Sequence, residues 1–188
     1  GGFSIVALSS DGTRIVSARH CGATYENGPS YATSIELWNA KTGQKIKDIE
    51  AFKTPTCVEE LWFSNNDEYL LASFASGTEQ DYNPQEDRVT RVWNINTGKI
   101  IIERKGELGS LSSDTKQLIA RKKNEIHVVD IATKQQQTFT AADNIDKARL
   151  STDGKTLYAI SKKQLLVWSI EEQRQTATYP LELKEESY

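Results

Sequence analysis

The feature that most constrains the fold of this chain is a motif that recurs four times along its 188 residues. Each copy places an apolar strand before a polar turn and a second apolar strand after it. The four turns are Ser10-Asp11-Gly12, Asn65-Asn66-Asp67, Ser113-Asp114-Thr115 and Thr152-Asp153-Gly154. Because Asn, Asp and Gly tolerate positive φ angles, these turns predict β-hairpins. The chain is therefore expected to be an array of small β units that bury their faces by stacking.

A second module follows each hairpin, in which apolar and polar residues alternate with the period of two that is typical of half-buried strands. A large apolar residue anchors each module, at Trp38, Trp93, Val129 and Trp168. We expect these tryptophans, and Trp62, to lie in the core. The sequence predicts an all-β array of four four-stranded antiparallel units over residues 3–54, 55–105, 106–141 and 142–183, followed by a tail at 184–188.

Two insertions distinguish the first two units from the others. Each adds about 12 residues between the second and third strands, at 21–33 and 76–87. Both contain Gly, Pro and Asn, so both are predicted to be loops.

Composition excludes several classes of protein. The chain is 37% apolar and 26% charged, with a formal net charge of -3 and a pI near 5.5. These values favour a globular protein and give no basic field for nucleic acid. No apolar run is long enough to span a bilayer, so no membrane partner is expected. The absence of methionine leads us to expect a piece of a longer protein, or a start left by a cleaved tag.

Cysteine and histidine are too sparse to indicate a chemical site. Cys21 and Cys57 are not in a C-x-x-C pair, and we expect free thiols in a reducing, cytoplasmic location. The sequence contains no nucleophile-elbow, Walker A, dinucleotide-binding or zinc-protease motif. His20 and Cys21, as neighbours in a strand, point to opposite faces, and His127 stands alone. We therefore predict no enzymatic activity, no catalytic residue, no metal and no cofactor.

The repeats resemble the blades of WD-repeat (WD40-like) β-propellers, from Phe3 to about Leu183. The resemblance rests on the pattern F/L-S-x-D-G in the first hairpins and on L-W-N-x-x-T-G and V-W-N-x-x-T-G after the third strands. The blades are divergent. The Trp-Asp pair of the family becomes Trp38-Asn39, Trp93-Asn94, Val129-Asp130 and Trp168-Ser169, and the family's Gly-His pair is missing from all four repeats.

This resemblance implies a non-catalytic scaffold for protein–protein interaction. In a blade, the loops that join the second and third strands open on one rim, which is the predicted binding surface. One side of this rim is acidic and rich in tyrosine, with Tyr25, Tyr31, Glu79, Asp81, Tyr82, Glu86 and Asp87. The other side is basic, with Arg121, Lys122, Lys123, Lys162 and Lys163. Tyrosine is enriched at interface hot spots and rim charges steer partners, so protein partners are expected.

Two other functions remain open on the sequence. The propeller could regulate a catalytic domain outside this sequence, or it could bind a ligand or catalyse a reaction in a central channel lined by Glu59, Glu60, Lys147 and Arg149. Closed propellers have 4 to 8 blades, so four WD-like blades leave an open arc unless they close tightly. Further blades of a longer chain, or a second copy in a homodimer, would otherwise complete the ring.

Overall fold

The computed structural model describes residues 4–19, 22–24, 28–30, 32–76 and 88–181. Over these residues the protein is all-β and contains no helix, which confirms the predicted fold class. The chain divides into two compact units, Gly1–Gly109 and Ser110–Tyr188. No helix in this part of the chain is long and apolar enough to cross a membrane.

The strands up to residue 105 are β1 Ser4–Leu8, β2 Arg14–Arg19, β3 Gly22–Thr24, β4 Gly28–Ser30, β5 Ala32–Asn39, β6 Lys45–Phe63, β7 Tyr69–Ser76, β8 Arg88–Asn94 and β9 Ile100–Lys105. The first unit is built on one continuous antiparallel sheet of these strands, in the order β1-β2-β5-β6-β7-β8-β9. β6 is 19 residues long. Its first part pairs with β5 and its second part with β7, so two four-stranded arrangements share this strand. β6 therefore crosses the boundary predicted between residues 54 and 55.

The first insertion is not only a loop. Its segments β3 and β4 pair with each other as a small antiparallel ladder, with Gly22 opposite Ser30 and Thr24 opposite Gly28. The prediction of a loop is wrong for these six positions, because the two segments satisfy each other's backbone hydrogen bonds. Residues 77–87 of the second insertion lie outside the described residues.

Two four-stranded sheets follow in the rest of the chain. Their strands are β10 Leu108–Leu111, β11 Gln117–Lys122, β12 Glu125–Asp130 and β13 Gln136–Thr140, then β14 Lys147–Leu150, β15 Thr156–Ser161, β16 Gln164–Ser169 and β17 Arg174–Pro180. Each sheet keeps its strands in sequence order, as expected of a repeated up-and-down unit. The boundary between the two compact units falls inside β10.

A serine closes the first turn of every repeat. The serines are Ser9, Ser64, Ser112 and Ser151. Each hydroxyl donates to the side-chain oxygen of the Asp or Asn two residues later, at 2.5–2.7 Å. Each also accepts the backbone N–H five residues later, at 2.9–3.0 Å. The next turn position has a positive φ in every copy, at Gly12, Asp67, Thr115 and Gly154.

In the first three repeats, an asparagine or aspartate directly after the anchor residue closes the second turn. The side-chain oxygen of Asn39 accepts the backbone N–H groups of Lys41 and Thr42, at 3.0 and 2.9 Å. Asn94 and Asp130 make the same pair of bonds in their repeats. These turn bonds use only an acceptor oxygen, so an amide and a carboxylate can both make them. At Asn94 the amide nitrogen also donates to a carboxylate oxygen of Glu68, at 3.3 Å.

The core of the first unit lies between the two four-stranded arrangements of its continuous sheet, and the core of the second unit lies between its two sheets. In the first unit Leu70 and Trp93 are 0% and 1% exposed, and in the second unit Leu157 and Trp168 are 0% and 3% exposed. Trp38, their equivalent in the first repeat, is only partly buried. The expectation that Trp62 lies in the core is wrong. Its side chain alternates with those of Leu61 and Phe63 and is 49% exposed.

The expectation of two free thiols is also wrong. Cys57, in β6, is disulfide-bonded. The only other cysteine in the sequence is Cys21, which lies outside the described residues. Sequence alone could not establish the bond, because it depends on two distant positions meeting at bonding geometry.

Candidate protein-binding rim

The second unit brings the basic residues of the predicted rim to two hairpin tips. Arg121, Lys122 and Lys123 lie where β11 turns into β12, and Lys162 and Lys163 join β15 to β16. The four lysines are exposed and Arg121 is partly buried. We call these five residues the basic tips.

The connection from β13 to β14, residues 141–146, binds the first tip. Asn124 donates from its side chain to the carbonyl of Ala141 at 2.9 Å, and Ala141 returns its N–H to the carbonyl of Asn124 at 2.9 Å. The N–H of Ile145 donates to the carbonyl of Lys123 at 2.8 Å. The guanidinium of Arg121 donates to the carbonyl of Ile145 at 3.1 Å. Arg121 therefore positions the connection as well as adding charge.

The same connection binds the second tip. The Ser161 hydroxyl donates to the carbonyl of Asn144 at 2.8 Å, and the Lys162 ammonium lies 2.6 Å from a carboxylate oxygen of Asp143. Both tips are therefore fixed to one segment and belong to one surface. An open depression of about 610 Å³ lies at the second tip, lined by Asp143, Lys162, Lys163 and Gln164.

The Asp143 carboxylate reduces the positive charge of this surface. The side chains of Lys162 and Asp143 are 71% and 42% exposed, so their ion pair is largely solvated and contributes little to stability. Lys122 and Lys123 have no acidic side chain within ion-pair distance among the described residues. We therefore regard the Lys122–Lys123 tip as the more strongly basic part of the surface.

Both tips hold a lysine in a backbone region that favours glycine. The φ angles of Lys123 and Lys162 are 54° and 50°. A side chain in this left-handed region costs about 1–2 kcal/mol. Lys123 and Lys162 occupy the same hairpin position in two repeats, and both carry this cost. Each is the first residue of a two-residue connection between strands.

The acidic side of the predicted rim cannot be placed in the same way. Tyr25, Tyr31, Glu79, Asp81, Tyr82, Glu86 and Asp87 all lie outside the described residues. Their participation in the rim stays a prediction from the sequence.

The carboxylates of the repeated turns have structural roles. The hydroxyl of Ser9, followed by the N–H and hydroxyl of Thr13, lowers the pKa of Asp11 to about 2. The Thr133 N–H and hydroxyl lower the pKa of Asp130 in the same way. Groups held in the ionised form by turn hydrogen bonds are poor candidates for proton transfer near neutral pH.

The residues suggested for a central-channel site are divided between the two units. Glu59 receives two hydrogen bonds from the guanidinium of Arg88, at 2.7 and 3.0 Å. Glu59 and Glu60 line a groove of about 380 Å³ together with β1 and Trp62. Lys147 and Arg149 are exposed on β14, in the other unit. The paired carboxylate of Glu59 makes this groove a weak candidate for catalysis.

Metal-binding residues are scattered in the part of the chain that the structure describes. No group of three or more His, Cys, Asp or Glu residues is close enough to hold an ion there. His127 lies on β12 with Nε2 3.4 Å from a carboxylate oxygen of Glu125.

Comparison with solved structures establishes the fold. A chain in the crystal structure of the mitotic checkpoint complex matches with a TM-score of 0.63 and 14% sequence identity. The match covers 93% of this chain and 48% of that chain, so this protein spans about half its length. In total 902 chains match, so the likeness reflects a widespread architecture rather than one particular protein. No family model and no curated protein matches the sequence.

These findings define the class of the protein by its architecture. It is an all-β, propeller-like array of four-stranded antiparallel blades. At 14% sequence identity the comparison shows the fold and does not show an activity.

Proposed function

We propose that this protein is a non-catalytic, WD-repeat-like interaction module that binds a protein partner through the rim carrying the basic tips. The observation that carries the proposal is the fixing of two lysine-bearing hairpins, Lys122-Lys123 and Lys162-Lys163, by the single connection 141–146. Two separate tips thereby form one surface with four exposed ammonium groups.

The chemistry of this surface favours an acidic peptide segment as its ligand. Lysine is a flexible point charge on a long stem, so it adapts to carboxylates presented along an irregular chain. Charged rims mainly raise the rate of association and select partners by sign. The structure that this fold resembles belongs to a complex of proteins, which agrees with a role in assembly.

A binding assay with a defined acidic peptide tests the proposal. The probe is a fluorescent peptide rich in Glu and Tyr, followed by anisotropy at low and physiological salt. The double variant Lys122→Glu/Lys123→Glu is expected to weaken binding at least about tenfold, and added salt is expected to reduce the difference. Equal binding by the native protein and the variant would contradict the proposal.

A matched control is available in the same unit. Lys116→Glu/Lys155→Glu reverses two exposed lysines beside the serine-closed turns, away from the connection that fixes the basic tips. The net charge changes equally in both double variants. We expect the control to change the affinity less than about twofold, since only long-range, screened charge is altered.

The cellular location forms a separate part of the proposal. The sequence predicts a cytoplasmic location together with free thiols, whereas disulfides persist mainly in oxidising compartments. Fractionation of cells that express the protein tests this point. Recovery in the cytosolic fraction supports the cytoplasmic prediction, and recovery in a secreted or membrane-enclosed fraction contradicts it.

A further inference from the structure

The first unit exposes an apolar face on its terminal strands. Leu8, Ile15 and Trp38 lie directly opposite one another on β1, β2 and β5, so they form one row on the same side of the sheet. Val6 lies two residues before Leu8 and therefore shares that side. Val6 and Leu8 are 63% and 61% exposed. We call these four residues the Leu8 face.

The equivalents of the Leu8 face in the second repeat are covered. Aligning the turn serines Ser9 and Ser64 places Val6 with Leu61 and Ile15 with Leu70, and aligning the anchors places Trp38 with Trp93. Leu61, Leu70 and Trp93 are 4%, 0% and 1% exposed. All three residues belong to the hydrophobic core cluster of the first unit. The Leu8 face therefore has the composition of a sheet face that packs on a neighbouring blade.

The second unit exposes a different apolar face on its last sheet. Tyr158 lies opposite Val167, and Ile160 lies opposite Leu165, which in turn lies opposite Tyr179. Tyr158 and Tyr179 are 41% and 55% exposed. Since Tyr158 and Ile160 are two residues apart, all five side chains share one side. We call them the Tyr158 face.

The equivalents of the Tyr158 face are also covered in other repeats. Tyr158, Leu165 and Val167 correspond to Val16, Ile35 and Leu37 in the first repeat, which are 0%, 0% and 3% exposed. In the third repeat the corresponding residues are Ile119, Ile126 and Val128, at 2%, 0% and 2%. These are positions on the opposite side of the sheet from those of the Leu8 face.

Inside each unit, one kind of face always packs on the other kind. In the first unit Val16 and Ile35 share a core cluster with Leu70 and Trp93. In the second unit Ile126 and Val128 share a core cluster with Leu157 and Trp168. The two exposed faces are thus the two complementary halves of an interface that the molecule already forms twice.

We propose that a second copy of this chain covers both faces, with the Leu8 face of each copy packed on the Tyr158 face of the other. Two copies supply eight four-stranded blades, which is within the 4 to 8 blades of closed propellers. Two identical head-to-tail contacts close such a pair and leave neither apolar face in water. Opposite charges also accompany the two faces. Glu60 lines the groove beside Val6 and Leu8, next to Glu59, whose carboxylate is paired with Arg88. Lys147 and Arg149 lie on β14, beside Tyr158.

The mass in solution is the first test. Light scattering of the 188-residue chain is expected to show twice 21.1 kDa over a range of concentrations. A monomer at every concentration overturns the proposal. A ladder of larger species overturns the closed pair, because unclosed head-to-tail contacts grow into filaments.

A complementation experiment tests which faces meet. Leu8→Asp and Tyr158→Lys each place a charge in both contacts of the pair, so each variant alone is expected to be monomeric. Mixing the two variants creates one native contact and one contact with opposite charges. The mixture is therefore expected to recover the dimer. No recovery, or a dimer that neither variant disrupts, overturns the pairing of these two faces.

Folding and specificity are controlled separately. All substituted side chains are exposed, so circular dichroism of each variant is expected to match the native protein. Ile100→Asp changes another exposed apolar residue, 49% exposed on β9, which belongs to neither face, and is expected to leave the dimer intact. This inference is independent of the basic tips, since Lys122 and Lys123 lie on neither face. The peptide assay and the mass measurement can thus fail separately.

Discussion

The carboxylate of Asp67 accepts the backbone N–H of Ser10 at 2.7 Å, joining two turns that are 57 residues apart in the chain. Its other oxygen accepts the N–H of Asp11 at 3.0 Å. Asp67 is 8% exposed and occupies a left-handed conformation, with φ of 57°. This one side chain therefore fixes the first hairpin of the first repeat to the first hairpin of the second repeat.

Asp67→Gly is expected to destabilise the protein by about 2 kcal/mol, because it removes two hydrogen bonds to a charged acceptor. Glycine keeps the left-handed backbone, so the loss reports the side chain and not the turn. Urea unfolding measures the change. The matched control is Thr115→Gly, at the same turn position of the third repeat. It relieves left-handed strain but removes a side chain that is 5% exposed, and it is expected to cost clearly less than Asp67→Gly. Equal destabilisation by both variants would refute this role of Asp67.

Acid is expected to weaken the first unit through the same contact. Burial tends to raise the pKa of Asp67, but the hydrogen bonds from Ser10 and Asp11 outweigh it and hold the pKa below its usual 3.8. The pKa of Asp11 falls to about 2. A lowered native pKa stabilises the protein above pH 4, and the stabilisation disappears as the pH falls toward 2. Between pH 5 and 2, the free energy of unfolding should decrease less steeply with falling pH for Asp67→Gly than for the native protein. Parallel curves would exclude Asp67 as a source of acid sensitivity.

Gln173→Gly is expected to stabilise the protein by about 1 kcal/mol. Gln173 has a φ of 51° at the turn position where the first two repeats place Gly43 and Gly98. An L-residue in this region carries a steric cost that glycine avoids. The reverse change, Gly43→Gln, tests the same argument, since no atom lies within 4 Å of the added Cβ and only the backbone is strained. Thermal melts should shift in opposite directions, and a shift of the same sign in both would contradict the argument.

The three anchor tryptophans are expected to respond differently to truncation. Trp93→Ala and Trp168→Ala leave cavities in closed cores and should each cost about 3–5 kcal/mol. Trp38→Ala removes a partly exposed ring whose Nε1 donates to the Ser17 hydroxyl at 2.9 Å, so the unfolding free energy of the monomer should fall by less. Measurement at protein concentrations below the dissociation constant of the dimer separates this effect from association. Equal losses at all three positions would show that the Leu8 face is covered within one chain.

The sequence predicted the elements of this fold because the signals are local. Ser9 and Asp11 lie within one turn, as do Asn39 and Thr42, and the same spacing recurs in later repeats. Long-range features escaped prediction. The contact from Asp67 to Ser10 and the ion pair of Lys162 with Asp143 each join residues of different turns or connections, and the residues around Cys57 carry no signal of its disulfide bond. Trp62 was misplaced because alternation shows that a side chain points away from its neighbours without showing whether another sheet covers it.

The basic tips were predictable in part. The lysines were recognised from their places in hairpins, but the connection 141–146 carries no sequence signal that marks it as the segment holding both tips. A count of charged residues also ignores the partners of these side chains. Arg121 donates to the backbone carbonyl of Ile145, and Lys162 is paired with the carboxylate of Asp143. The surface is consequently less basic than five cations imply, and Lys122 and Lys123 dominate it.

Binding of an acidic protein segment by the basic tips can be tested by comparing three proteins. The affinity of the acidic peptide is measured for the native protein, for Lys122→Glu/Lys123→Glu and for Lys116→Glu/Lys155→Glu under the same salt conditions. The affinity is expected to fall at least about tenfold in the first variant and less than about twofold in the second. Equal effects of the two variants would contradict it, because binding would then follow net charge and not this surface.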